Sequence, residues 1–207
     1  DYYNLKNNIK YPSYDNLIVK ISFKNNTSQI INDDKTHLIF SIPSRRSNRN
    51  KYNNRIPETS FLKKVLDFKE DEVDIIFVSE EKKKNKIADL LINSRIEAFG
   101  NKDFRNEMAN YKRNNITKSS FGMPGFTMGF SMPVSFMTPI FIRKFNMIKI
   151  FEKSEENLLK KHTPLFAILT TKNDNIFSWI KTGQILEKLT LEAERYRIRS
   201  AINAVPL

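Results

Sequence analysis

Along residues 17–24 (LIVKISFK) apolar and polar positions alternate, with Leu17, Val19, Ile21 and Phe23 on one face and Lys20, Ser22 and Lys24 on the other. A period of two marks a half-buried strand. Asn32-Asp33-Asp34 is a helix-start signal ahead of HLIFSI (37–42), read as a short helix that Pro43 ends. A polar loop, SRRSNRNKYNNR (44–55), follows. Pro57 suits the first turn of a helix, and Phe61, Leu62, Val65 and Leu66 recur at helical spacing behind it. VDIIFV (73–78) is β-branched and too short for a helix, so it predicts a buried strand. Ser79-Glu80-Glu81 then opens a helix with acidic groups at its positive end. Ile87, Leu90, Leu91 and Ser94 share one side of it, and it runs to about Phe99. Gly100-Asn101 breaks the pattern before a shorter helix marked by Phe104, Met108 and Tyr111.

Residues 119–142 contain no charged group, a length that could span a bilayer. Gly122, Pro124, Gly125, Gly129, Pro133 and Pro139 interrupt them throughout, more breaks than a spanning helix tolerates. The segment is therefore expected to be an irregular apolar loop, lying as a lid over a cleft. Beyond it, MIKIF (147–151) reads as a strand, SEENLLKKH as a short helix and LFAILTT (165–171) as a buried strand. After Asp174 as cap, Ile176, Trp179, Ile180, Gly183, Leu186, Leu189 and Ala193 trace the stripe of one long helix, whose plainest use is core packing. Alternating strands and helices indicate an α/β or α+β fold, with 1–207 as a single domain.

Composition narrows the chemistry. Hydrophobic residues make up 40% and aromatics 12% of the 207 residues, enough for a packed core. The absence of cysteine excludes disulfides, zinc fingers, iron–sulfur sites and a cysteine nucleophile. With His37 and His162 as the only histidines, no metal site is expected. A net charge of +12 and a pI near 9.7 suit an anionic partner, but the chain's bias toward Lys, Asn and Ile is the better account of them, and basicity on its own decides nothing. Neither histidine sits in a nucleophile setting and there is no G-x-S-x-G, so no catalytic residue is assigned. No secretory leader is visible, and a cytoplasmic location is expected.

Four segments, in order, resemble one family. SRRSNRNKYNNRIPETSFLKKVL (44–66) is similar to the flavin-binding signature of the nitroreductase family: R-R-S-x-R, a nearby aromatic, then a Pro-led amphipathic helix. FRNEMANYKRNN (104–115) and FGMPGFTMGF (121–130) resemble the Acg-type branch. PLFAILTTKNDNIFSWIKTGQILEKLTLEAERYRIRSAINAVPL (164–207) resembles the family's later strand, long helix and Val-Pro turn. The resemblance implies an α+β nitroreductase-like fold with a central mixed or antiparallel sheet flanked by helices. It implies FMN as cofactor, with Arg45, Arg46 and Ser47 at the phosphate and ribityl chain and Arg49 near the flavin N1/C2-oxygen edge, where a cation raises the reduction potential. The plain alternative for 44–55 is a solvated basic loop.

The Pro-Ser-x-x-Asn-x-Gln-Pro-Trp stretch of the family is not found, so the chain is expected to be the middle and later part of a longer protein. The expected function is an FMN-dependent oxidoreductase taking hydride from NAD(P)H to a nitro, quinone or similar acceptor. An alternative is a non-catalytic FMN store closed by the 119–142 lid. A third reading is a nucleic-acid binder using Lys82–Lys84, Lys160-Lys161 and Arg195, Arg197 and Arg199, though these are scattered and carry no recognisable motif. Expected partners are a small-molecule acceptor and a second copy of the fold, as a homodimer or an intrachain pseudo-dimer, with no membrane partner.

Overall fold

The computed structural model describes residues 5–10, 20–25, 37–146 and 148–204. The chain divides into two compact units where the sequence reads as one domain. The first comprises Asp1–Asn50, Arg55–Ser79 and Leu165–Ile202, and the second Lys51–Asn54, Glu80–Pro164 and Asn203–Leu207. Helix and strand are mixed, as an α+β chain requires. Among the described residues the strands form three separate two-stranded sheets rather than one central sheet.

In the first unit β1 (Leu5–Lys10) pairs antiparallel with β2 (Lys20–Asn25), Leu5 opposite Asn25 and Lys10 opposite Lys20. Leu17 and Val19 of the anticipated strand, and the Asn32-Asp33-Asp34 signal, lie outside the described residues. Ile21 is exposed instead of buried. A 3-10 turn covers His37–Ser41, and helix α1 spans Thr59–Leu66. Strand β3 (Val73–Val78) is antiparallel to β6 (Phe166–Thr171), Val73 opposite Thr171 and Val78 opposite Phe166. In this ribbon β3 buries Val73 and Ile75 while Ile76 faces out, so it is covered on one face and not fully enclosed. The core gathers Phe61 and Val65 of α1, Val73 and Ile75 of β3, and Ile185, Leu189 and Ala193 of a long helix, Ile176–Arg195.

That helix, α6 when numbered in chain order, departs from the anticipated stripe. Its N-cap is Asn175, whose side-chain oxygen accepts from the Ser178 N–H at 2.9 Å. Asp174 instead accepts from the Trp179 indole N–H at 2.7 Å. Trp179 is 58% exposed and so is no core residue, and Ile176 is also exposed. Ile176, Phe177 and Trp179 thereby face solvent while Ser178 is buried, and apolar burial is concentrated from Ile185 to Ala193.

In the second unit α2 (Glu81–Gly100) buries Ala88, Leu91 and Ile92, a line rotated from the anticipated one so that Leu90 is exposed. Asn101 ends α2 and caps α3 (Lys102–Tyr111), accepting from the Asp103 and Phe104 N–H groups. Short strands β4 (Lys112–Arg113) and β5 (Met123–Pro124) pair in parallel. Lys112 is 8% exposed, and its ammonium donates to the sulfurs of Met123 at 3.3 Å and Met128 at 3.1 Å.

The 119–142 segment is not an irregular loop. After a 3-10 turn (Gly125–Met128), Met132–Lys144 forms helix α4. Pro133 lies in its first turn, where a missing N–H costs nothing, and only Pro139 interrupts the interior. Ser135 anchors it: its hydroxyl donates to the Met132 carbonyl at 2.7 Å and accepts from the Asn115 N–H at 3.1 Å. A Cβ on Gly125 would sit 2.5 Å from that of Ser135, so this close approach requires glycine. Ile148–Phe151 of the anticipated strand likewise enter a helix, α5 (Ile148–Glu156), extended by a wider turn over Asn157–Lys161, and Met147 lies outside the described residues. The Glu- and Lys-rich run that follows propagates helix into Ile148–Phe151, whereas a strand there would need a partner. Arg95 of α2 pairs with Glu155 of α5.

Candidate functional site

The Arg45–Arg49 loop is shaped by its own short-range bonds. After Pro43 breaks the 3-10 turn, the Arg45 N–H donates to the Ser41 carbonyl at 2.9 Å and the Ser44 hydroxyl to the same oxygen at 3.2 Å. The chain then extends. Ser47 forms an isolated parallel bridge with Ser200, and the Asn48 N–H donates to the Ser200 carbonyl at 2.8 Å. The Asn50 N–H closes a small turn on the Asn48 side-chain oxygen at 3.1 Å.

The end of α6 delivers Ser200. The Ile198 N–H donates to the Ala193 carbonyl at 2.7 Å and the Arg197 N–H to the Glu194 carbonyl at 2.9 Å. These bonds make a Schellman stop, with Arg197 at φ 57° where glycine is usual. The reversal lays Ile-Arg-Ser (198–200) beside Arg-Arg-Ser (45–47).

The predicted residues Arg45, Arg46, Ser47 and Arg49 therefore lie on one short extended segment, and the Ser47–Ser200 bridge brings the Arg197–Ser200 turn beside it. Arg46, Ser47 and Arg49 are exposed, whereas Arg45 is half-buried with its Nε 3.7 Å from Glu187. Arg195 pairs at 3.2 Å with Glu192, a carboxylate only 1% exposed, and Arg199 pairs with Glu194. Residues 44–49 and 195–200 carry six arginines and no acidic residue, with Arg45, Arg195 and Arg199 paired to Glu187, Glu192 and Glu194, and they add the hydroxyls of Ser47 and Ser200. Such a surface can bind a phosphate dianion through charge-assisted hydrogen bonds. The sequence offered no signal for Ser200, because the pairing depends on where α6 stops. Tyr52, the aromatic of the same motif, belongs to the second unit, where its N–H donates to the His162 carbonyl at 3.2 Å and burial raises its phenol pKa.

A second polar constellation joins the turn before β3 to α6. Lys181 Nζ lies 2.8 Å from one Glu70 oxygen and Lys188 Nζ 3.4 Å from the other. The hydrogen bond from Lys181 holds the Glu70 carboxyl below its usual range; burial opposes it, and the charges of Lys181 and Lys188 and the bond from Lys188 add to the lowering. Glu72 accepts from Asn173 at 3.0 Å and from the Ser178 hydroxyl at 3.3 Å. Two open hollows border this turn, one lined by Glu70, Asp71, Glu72, Phe177 and Lys181 and the other reaching Leu66 and Lys172. Neither includes a residue of 44–50. Each carboxylate here already has a structural partner or stands in solvent, so the cluster reads as a clamp on α6. Among the described residues, no three His, Asp or Glu side chains converge to hold a metal ion.

Many cations of the nucleic-acid reading are engaged within the chain. Lys83 pairs with Glu80 at 2.7 Å, Lys84 donates to the Thr163 carbonyl at 2.9 Å, and Lys160 lies 2.7 Å from Asp89 and 2.8 Å from Glu156. Among the described residues no helix is long and apolar enough to cross a membrane. No family model, no curated protein and no solved structure matches this chain.

Proposed function

We propose that the protein is an FMN-dependent oxidoreductase whose Arg45–Arg49 loop and Ile198–Ser200 segment together hold the flavin phosphate. The observation that carries this reading is the Ser47–Ser200 bridge, which sets two Arg–Ser segments side by side with a surplus of positive charge. The order of the four segments similar to nitroreductases supports the choice of FMN over other phosphates.

Ser47 and Ser200 would supply hydroxyl donors, and Arg46 would supply a guanidinium fork to the phosphate oxygens. Arg45 would approach the same oxygens only if it loosened its long contact to Glu187. Arg49 would sit toward the ring, where a cation stabilises negative charge on the reduced flavin. The flavin, once bound, supplies the hydride chemistry between NAD(P)H and a nitro, quinone or similar acceptor. The chain's own task is to anchor and orient it.

The nucleic-acid reading is less favoured because Lys83, Lys84, Lys160, Arg195 and Arg199 already serve carboxylates or carbonyls of the chain. Fluorescence titration with FMN and with riboflavin tests the proposal. FMN should bind and riboflavin much more weakly, since riboflavin lacks the phosphate. Equal affinity for the two, or none for either, would remove the basis of the proposal.

A further inference from the structure

The second unit displays an apolar surface built on α4. Of this helix only Ser135 and Ile142 are buried, while Phe136, Met137, Ile140 and Phe141 are 42–46% exposed. Phe121 and Phe126, in the turns before it, are 56% and 62% exposed. A helix of an ordinary soluble domain turns polar residues outward, and a contiguous apolar exposure of this kind marks an interaction surface.

The charges on the stretch of chain that carries it point to the occupant, with Asp103 and Glu107 of the packed helix α3 lying just outside that stretch. From Met108 through Phe151 there is no Asp or Glu, and all 23 carboxylates of the chain lie outside this stretch. The same 44 residues carry six cations: Lys112, Arg113, Lys118, Arg143, Lys144 and Lys149. Two are fixed at the surface by neutral partners. Arg143 donates to the Asn110 side-chain oxygen at 2.7 Å, and Arg113 lies 5.7 Å from the centre of the Phe121 ring while donating to the Asn110 carbonyl at 2.6 Å. Lys118 and Lys144 are exposed. A second copy related by a two-fold axis would bring like charges against each other across an apolar contact, which is costly. An anionic bilayer satisfies both features, with acyl chains for the Phe, Met and Ile side chains and phosphates for the Lys and Arg.

We propose that this face docks on an anionic phospholipid membrane, with α4 lying in the interface and not crossing it. Interfacial docking needs no spanning helix, and it departs from the sequence expectation of no membrane partner. It rests on none of the residues of the flavin reading.

Vesicle flotation at physiological ionic strength tests it, using phosphatidylcholine alone and phosphatidylcholine with about 30 mol % phosphatidylglycerol. The protein should float with the anionic vesicles and not with the neutral ones. Arg143→Glu/Lys144→Glu should weaken binding by at least about tenfold, and Lys82→Glu/Lys86→Glu on α2 by less than about twofold. Phe136→Ser/Ile140→Ser, whose side chains are exposed, should lose binding with an unchanged circular dichroism spectrum. Absence of binding to anionic vesicles would overturn the proposal, as would equal losses from the α2 and α4 charge reversals. So would a dimer in sedimentation equilibrium that Phe136→Ser/Ile140→Ser dissolves.

Discussion

In the first unit Phe61, Val65, Val73, Ile75, Ile185 and Leu189 turn into one cluster, while in the second unit Phe121, Phe126, Phe136 and Ile140 remain at the surface. The difference is not one of composition. Helices α1 and α6 each present one apolar side to a sheet that is itself apolar on one face. Helix α4 is apolar around its circumference, and the line that is covered runs through Ser135 and Ile142. Hydrophobicity sets what a residue gains by burial, and topology decides whether anything lies opposite.

Truncation gives the sharpest way to break this contrast. Ile185→Ala, at 0% exposure, should cost about 2–5 kcal/mol in urea unfolding. Phe126→Ala, removing a larger side chain, should change stability by no more than about 0.5 kcal/mol. If the two cost the same, the α4 surface is core and the comparison collapses.

A smaller effect sharpens how α6 is held within the first unit. Glu70 titrates below its ordinary value when folded, so the stability it adds is present above the unfolded carboxylate pKa and is lost as pH falls through the folded one. Glu70→Gln should therefore cost about 0.5–1 kcal/mol at neutral pH, in the range of partly exposed ion pairs. The difference from wild type should fade on acidification below the usual carboxylate pKa. A cost independent of pH down to strongly acidic conditions would show that the carboxylate charge is not what clamps the helix.

The smallest expected effect concerns the stop of α6. Arg197 adopts a left-handed conformation that costs a side chain energy and suits glycine. Arg197→Gly should raise stability by up to about 1 kcal/mol, read from the same urea curves. A loss of stability would mean that the Arg197 side chain contributes more than its backbone strain removes.

Local patterns made much of the fold legible. The α1 spacing, the β3 run, the opening of α2, the Gly100-Asn101 break and the strand at 166–171 all follow from nearest-neighbour chemistry. What was missed depended on context. Ile148–Phe151 have the residues of a strand but are drawn into α5 by the helix-forming run after them. Six glycines and prolines between 122 and 139 suggested a loop, yet Pro133 falls where a helix accepts it and the glycines lie before α4 begins. Trp179 looked like core because it fits a stripe, but its indole is held outward by Asp174. For the candidate site, the Arg45–Arg49 loop could be named from its motif. Its partner Ser200 could not, since a bridge between two distant segments leaves no local periodicity.

The central claim is that the paired Arg–Ser segments anchor a flavin phosphate, and an FMN titration of single-arginine variants of the full-length protein tests it most directly. Arg46→Ala should weaken FMN binding by about 1.5–3 kcal/mol, the range for a hydrogen bond to a charged group. Arg199→Ala should matter far less, because its guanidinium is already held by Glu194. Equal losses from both substitutions would indicate diffuse electrostatics, and a protein that takes up no FMN at all would contradict the account outright.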